Sequence, residues 1–156
     1  MMKVLAFDQA SRLTGYVIVN RDPLTRRLTL IEGDTIDYKK IVEIPDRLFS
    51  LFKRVLELIE QHQPDVVVVE DIFLGRNVKT FEKLAKVQAV IQVATLHSGK
   101  KLETVSPMLA RKKYSLKDKE DTAVYICEMP AFESLAGKKL DVTDAALLAL
   151  YVATKD

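Results

Sequence analysis

The sequence predicts an α/β fold: a five-stranded mixed sheet, three antiparallel strands followed by two parallel ones, flanked by helices. Three observations predict it. Two apolar runs, residues 3–8 and 16–21, flank a short polar turn with a glycine and read as a hairpin. Val66, Val67, Val68 and Val69 follow one another without polar alternation, so both faces of that strand are buried, as in a central parallel strand. Stretches with apolar residues at helical spacing precede and follow it, which is how parallel strands are connected.

At 156 residues the chain is read as one domain, residues 1–156, able to bury about two-thirds of its unfolded surface. With 48% apolar residues and only five Gly and five Pro, its composition is globular and excludes fibrous or disordered classes. The single Cys127 excludes an internal disulfide framework, suits a reducing compartment, and reads as a small buried hydrophobe. No apolar run approaches the ~20 residues of a membrane span, and no signal-like segment opens the chain. The reading is a soluble cytoplasmic protein. Net charge is only +2, yet residues 76–119 carry eleven Lys/Arg against Glu82, Glu103 and Asp118. A basic middle on an otherwise acidic chain suits either a polyanion partner or a solvated charged face.

The elements follow in order. Strands are read at 3–8, 16–21 and 28–31, with Asp22-Pro23-Leu24-Thr25 supplying turn chemistry between the second and third. Residues 33–44 read as a less regular connection. Pro45 and Asp46 open a helix, Asp46 as its cap, whose apolar face runs from Leu48 to Ile59 and which His62 and Pro64 close. His62 reads as a surface residue in its last turn. The valine strand ends in Glu70 and Asp71. A loop leads to a helix over 79–97, amphipathic at first, then apolar nearly all round from Val87 to Leu96. Such a helix needs cover on two sides: the sheet and, as an expectation, a second subunit. A fifth strand covers 101–105. Ser106 and Pro107 start a short helix that ends in Arg111, Lys112 and Lys113. Further helices cover 117–129, stopped by Pro130, and 141–154.

Three elements bring carboxylates to an end: Asp8 on the first strand, Glu70 with Asp71 on the fourth, Asp141 with Asp144 on the last helix. Asp141 and Asp144 share a helix face. Sites in open α/β sheets form at the carboxyl ends of strands, where Asp8 and Glu70 stand. Each has an ordinary explanation too: a turn cap, an exposed strand end, acids at a helix N-terminus. Together they suit Mg²⁺, which takes oxygen ligands and relieves the repulsion of clustered carboxylates. Two ions ~4 Å apart can activate water and stabilise a phosphodiester's leaving oxygen. Scarce His and Cys argue against zinc or thiol chemistry.

The run Asp8-Gln9-Ala10-Ser11-Arg12-Leu13-Thr14-Gly15-Tyr16 resembles D-P-G-S-R-x-T-G-Y, the opening motif of the RuvC-type Holliday junction resolvases. Glu70-Asp71-Ile72-Phe73-Leu74-Gly75-Arg76-Asn77 is similar to that family's E-x-x-F-x-x-[KR]-N, and Asp141-Val142-Thr143-Asp144-Ala145 matches D-x-x-D-A. Order and spacing agree over nearly the whole chain. The resemblance implies an RNase H-like fold and a homodimer that cuts four-way DNA junctions by paired nicks with Mg²⁺ or Mn²⁺. It implies that Asp8, Glu70, Asp141 and Asp144 are the metal-binding catalytic carboxylates, Glu70 rather than Asp71 being in register with Phe73. Phe73 falls on the aromatic that stacks on an unpaired base near the crossover. Lys119 falls near a basic residue at the scissile phosphate.

The chain departs from the motif at Gln9 and Ala10, which replace Pro and Gly, so the turn must differ. A Gly-rich stretch of bacterial members is replaced by residues 111–117. The short, divergent sequence looks phage-like, which implies action on other branched DNA such as forks and Y-structures in a bacterial host. The basic segment then gains a use: Arg76, Lys79, Lys83, Lys86, Arg111, Lys112, Lys113 and Lys117 are assigned to DNA, positioning it through phosphates. Other readings are a RuvC-like nuclease acting on RNA and a junction-binding module without catalysis. A sugar-kinase or actin-like ATPase would need a second similar domain, for which the chain has no room.

Overall fold

The structure is a computed structural model; it describes residues 2–155 except Ser11, Phe73, Leu74 and Arg76. Five strands form one sheet: β1 (Met2–Asp8), β2 (Leu13–Arg21), β3 (Leu28–Asp37), β4 (Val66–Glu70) and β5 (Lys101–Val105), in the order β3-β2-β1-β4-β5. β1, β2 and β3 pair antiparallel, and β4 and β5 run parallel to β1. This is the predicted mixed sheet, with the valine strand β4 buried between β1 and β5.

The helices are α1 (Ile44–His62), α2 (Val78–His97), α3 (Pro107–Lys113), α4 (Lys119–Glu128) and α5 (Leu140–Ala153), with a 3-10 turn at Pro130–Leu135. The strands bury alternate residues on opposite faces, as their period of two requires. Leu5, Phe7, Ile18, Val67 and Val69 meet α1 and α2 on one face. Val4, Ala6, Val17, Val66 and Val68 meet α5, Ala110 of α3 and Ile126 of α4 on the other. Ala145, Ala146 and Ala149 give α5 a small-residue surface that lies close on the sheet, which is why it is buried along almost its whole length.

Three expectations are corrected. β3 does not stop at residue 31; it continues to Asp37, so residues 33–37 of the supposed connection are strand, paired through Leu13↔Asp37 with a bulge between Ile18 and Val19. β3 is the edge strand of the sheet, where charged residues such as Glu32, Asp34 and Asp37 are tolerated, and their charge hides the strand pattern. His62 is not a surface residue: its ring is mostly covered and Nε2 lies 3.6 Å from Glu32 Oε2. Cys127 is half-buried rather than buried. Among the described residues no helix is long and apolar enough to cross a membrane.

Candidate active site

The sheet brings the site together at one edge. β1 and β4 are parallel neighbours, so Asp8 and Glu70, their last residues, emerge at the same carboxyl end. α5 delivers its first turn to that edge because Gly15 stands opposite Asp8 in β2. A Cβ on Gly15 would lie 2.3 Å from the carbonyl carbon and oxygen of Asp141. Only a residue without a side chain lets the helix start so close to the strand.

Around this contact four carboxylates and two cations are packed. Asp8 is 3% exposed and Asp144 5%, both charged residues at the margin of a core. Lys119, the first residue of α4, puts Nζ 3.3 Å from Asp8 Oδ2, 3.1 Å from Asp141 Oδ1 and 3.6 Å from Asp144 Oδ2. The sequence of α4 places it there: Asp118 caps the helix by accepting from Asp121 N–H at 2.8 Å, fixing where the first turn begins. Arg111 of α3 donates from Nη2 to Asp144 Oδ2 at 2.6 Å and from Nε to Thr122 Oγ1 at 3.4 Å.

The electrostatics follow from this packing. Burial pushes the Asp8 carboxyl well above the usual range; a hydrogen bond with Glu70 and the Glu70 charge push the same way, Lys119 pulls down, and Asp144 adds to the rise. Burial alone would lower the Lys119 ammonium, but Asp8, Asp144 and Asp141 together outweigh it, and its pKa is raised. Asp144 Oδ1 is buried with no hydrogen-bond partner. Among the described residues no group of three carboxylates is drawn together tightly enough to hold an ion as it stands. Their oxygens are turned onto Lys119 and Arg111 instead. The donor set fits a hard divalent cation all the same: it is oxygen only, it contains an orphaned buried oxygen, and a stand-in cation already sits among three of the carboxylates.

The sequence-predicted residues separate into three groups. Asp8, Glu70, Asp141, Asp144 and Lys119 are brought together. Lys79, Lys83 and Lys86 are exposed along α2, whose N-terminus adjoins the loop after Glu70, and Lys86 also pairs with Glu82 at 3.2 Å. Beside Glu70 and the first turns of α2 opens a groove of about 370 Å³, lined among others by Asn77, Thr80 and Phe81. Lys112 and Lys117 are exposed near α3 and the start of α4, while Lys113 Nζ lies over the rings of Tyr114 and Tyr151 at 5.5 and 5.2 Å. Phe73 and Arg76 lie outside the described residues. Arg111 is a correction: it is not one of a row of surface cations but a mostly buried partner of Asp144, because α3 turns Ala110 and Arg111 inward and Lys112 and Lys113 outward.

Sequence reasoning missed Tyr38. Its O–H donates to Ala10 O at 2.6 Å and lies 2.9 Å from Thr14 Oγ1, and its N–H donates to Arg12 O at 3.1 Å. It pins both ends of the turn that follows Asp8, where the motif's glycine is lost. Burial holds its phenol at about 12. Nothing local marks Tyr38; only the extension of β3 to Asp37 reveals it.

Comparisons with known proteins agree with this geometry. A crossover junction endodeoxyribonuclease RuvC of Geotalea uraniireducens is 34% identical over 98 residues, 63% of this chain. The match spans just over half of that relative, 56% of its length. The enzyme of the same name from Dictyoglomus thermophilum is 28% identical over 152 residues, 96% of this chain and 94% of its own. Among solved structures, T. thermophilus RuvC in complex with Holliday junction substrate superposes with a TM-score of 0.79 at 20% identity, over 99% of this chain and 97% of that one. The fowlpox virus resolvase, solved with Holliday junction DNA, gives 0.65 at 20% identity, with 97% of each chain covered. The fold is therefore the RNase H-like fold of these proteins. The family profile described as crossover junction endodeoxyribonuclease RuvC matches residues 4–150, and the chain belongs to that family.

Proposed function

We propose that this chain is a structure-selective DNA endonuclease that resolves four-way junctions, and related branched DNA, by paired metal-dependent nicks. The observation that carries the reading is the convergence of Asp8, Asp141 and Asp144 on one ammonium group, with Glu70 against Asp8. Carboxylates so buried and so close have no structural value without cations. The printed names of the relatives, and the junction DNA present with two of the solved neighbours, support the substrate.

Asp8, Glu70, Asp141 and Asp144 would hold the metal, Mg²⁺ with Mn²⁺ also accepted, two ions per site. Bound there, the ions would supply activation of a water for attack and charge stabilisation for the leaving oxygen. The chain's own residues do the rest. Lys119 is placed to donate to a phosphate oxygen at the site once the carboxylates have other partners. Arg111 holds Asp144 in its rotamer. Lys79, Lys83, Lys86, Lys112, Lys113 and Lys117, with Arg76, offer charge to the phosphates of the arms, and Phe73 a stacking face for an unpaired base.

Paired nicks need two sites, hence a homodimer. The exposed Val93 and Leu96 of α2 and Phe49 of α1 support it, since they form an apolar face where a second subunit fits. Residues 1–156 act as one nuclease domain, in the cytoplasm of a bacterial or phage-infected cell.

The test uses a labelled synthetic four-way junction beside linear duplex, with Mg²⁺ or EDTA, and the Asp8→Asn variant. Symmetric nicks near the crossover that need metal and vanish in the variant, with binding kept, support the reading. Binding without cleavage in Mg²⁺ and Mn²⁺ leaves a binding module, and cleavage of RNA alone overturns the DNA assignment.

A further inference from the structure

Gln9 follows Asp8 directly and is 4% exposed. It stands where the family motif has proline, and its side chain does what a proline cannot. Nε2 donates to Glu70 O at 2.7 Å, and Oε1 accepts from Glu70 N–H at 3.1 Å. One planar amide therefore meets both polar groups of one backbone residue.

The reason lies in the parity of β4. Asp71 N–H donates toward β5, to Val105 O at 2.8 Å. Successive backbone groups of a strand face opposite neighbours, so Glu70 N–H and C=O face β1. The β1–β4 ladder ends at Phe7↔Val69, because after Asp8 the chain turns away toward β2. The last pair of that ladder leaves Glu70 N–H facing Phe7 O but gives the Glu70 C=O no strand partner, and the Gln9 amide takes that partner's place at the carbonyl while also meeting the N–H. Gln88, from α2, adds a second donor to the same carbonyl at 2.9 Å.

We propose that Gln9 is a positioning residue: it clamps the Glu70 backbone so that the Glu70 carboxylate is presented with that of Asp8 to a shared divalent cation. This rests on the metal-dependent nuclease reading and extends it to a residue that touches neither substrate nor metal. A two-point contact holds the two peptides that flank the Glu70 Cα, and with them the direction of the Glu70 side chain. Because Gln9 is next to Asp8 in the chain, the clamp extends the β1–β4 connection one step past the end of the ladder, where the two carboxylates stand.

The experiment compares the wild-type chain with Gln9→Met, which keeps the length but has neither donor nor acceptor. Val55→Ala, a core cavity in α1 away from the site, controls for general destabilisation. Mn²⁺ affinity of the DNA-free protein is read by electron paramagnetic resonance, exchange of the Glu70 amide by NMR, and junction binding in EDTA. Outer-shell changes of this kind cost on the order of 10–100-fold in metal affinity, so Gln9→Met is expected to weaken Mn²⁺ by about tenfold or more. Exchange at Glu70 should accelerate while junction binding in EDTA stays unchanged, and cleavage should return at high Mn²⁺. Gln88→Met should show a smaller loss, since Gln9 still holds both groups. Wild-type Mn²⁺ affinity in folded Gln9→Met, or an equal loss in Val55→Ala, overturns the proposal. Should Gln9→Met not fold, Gln9→Asn, one methylene short, carries the same test with the same outcomes. A wild-type protein that binds Mn²⁺ but nicks no junction sinks the nuclease reading and leaves the clamp standing; one that binds no Mn²⁺ sinks both.

Discussion

Substituting Gly15 by alanine tests how closely the site depends on the seating of α5. The added Cβ would lie 2.3 Å from two backbone atoms of Asp141 and 2.7 Å from Val142 N. Ordinary van der Waals contact begins near 3.4 Å. The helix start or the strand must therefore yield by about 1 Å, and backbone on both sides leaves no flexible side chain to absorb it. Overpacking of this kind costs about 1–3 kcal/mol. For a chain of this size that is a fall in Tm of about 2–12 °C. The catalytic loss should be larger than the stability loss suggests. The displaced turn carries Asp141 and leads to Asp144, and a misplacement of about 1 Å can cost about 100-fold in rate. The assay is single-turnover cleavage of a four-way junction at saturating protein and Mg²⁺, beside thermal unfolding and junction binding in EDTA. Gly15→Ala with near wild-type rate and Tm would refute the claim that this contact seats the carboxylates. A rate loss with no change in Tm would mean that α5 moves at no cost, which the close packing of its alanines argues against.

The other expectations concern charge and association. Asp8→Asn should raise the Tm of the metal-free protein. The Asp8 pKa is raised on folding, so the folded state favours its protonated form, and stability is lost as pH rises from about 4 through the raised value. The gap between variant and wild type should therefore open as pH rises to neutrality in EDTA and narrow when Mg²⁺ is added; a gap independent of pH would contradict it. Arg111→Met should destabilise the protein by about 3 kcal/mol at most, because it strips a mostly buried partner from Asp144 but leaves Lys119 nearby; denaturant unfolding reads this directly. Replacing Lys79, Lys83 and Lys86 by Gln should reduce the slope of log binding against log salt by about 3 if each meets one duplex phosphate. Val93→Glu should give a monomer by sedimentation and unpaired nicks; an unchanged dimer would move the interface off α2.

How much of this was legible in the sequence depended on whether the determinant was local. Val66 to Val69 announce their own burial, and a carboxylate at the end of such a strand is conspicuous. Asp141 and Asp144 share a face at any helix phase. β3 was cut short because its outer half is charged and its inner half is read only through pairing with β2. Arg111 was hidden in a basic triplet, yet a signal was present: Pro107, Ala110, Arg111 and Tyr114 share one face of a helix whose start Ser106 fixes. Reading the phase from the cap would have turned Arg111 inward and Lys112 and Lys113 outward. Tyr38 and Gln9 had no such signal, because what they bind is backbone from other parts of the chain.

Those two residues bear on how a site of this charge tolerates a divergent first turn. The motif's proline and glycine shape that turn by their own dihedral limits. Here Gln9 and Ala10 have no comparable constraint, and contacts impose the shape from outside: the Tyr38 phenol on the carbonyl of Ala10, the Tyr38 backbone N–H on that of Arg12, and the Gln9 amide on the backbone of Glu70. Rigidity has moved from the turn into its contacts. Asp8 is the residue that most needs it, since it is buried beside like charges and is held in place by its strand, by Lys119 and by this turn. Restoring the motif's residues alone, Gln9→Pro with Ala10→Gly, would stiffen the turn but remove the two-point contact on the Glu70 backbone, leaving its carbonyl to Gln88 alone. The sequence of the first turn and the geometry of the fourth strand are thus coupled in this chain, and neither can be exchanged without the other.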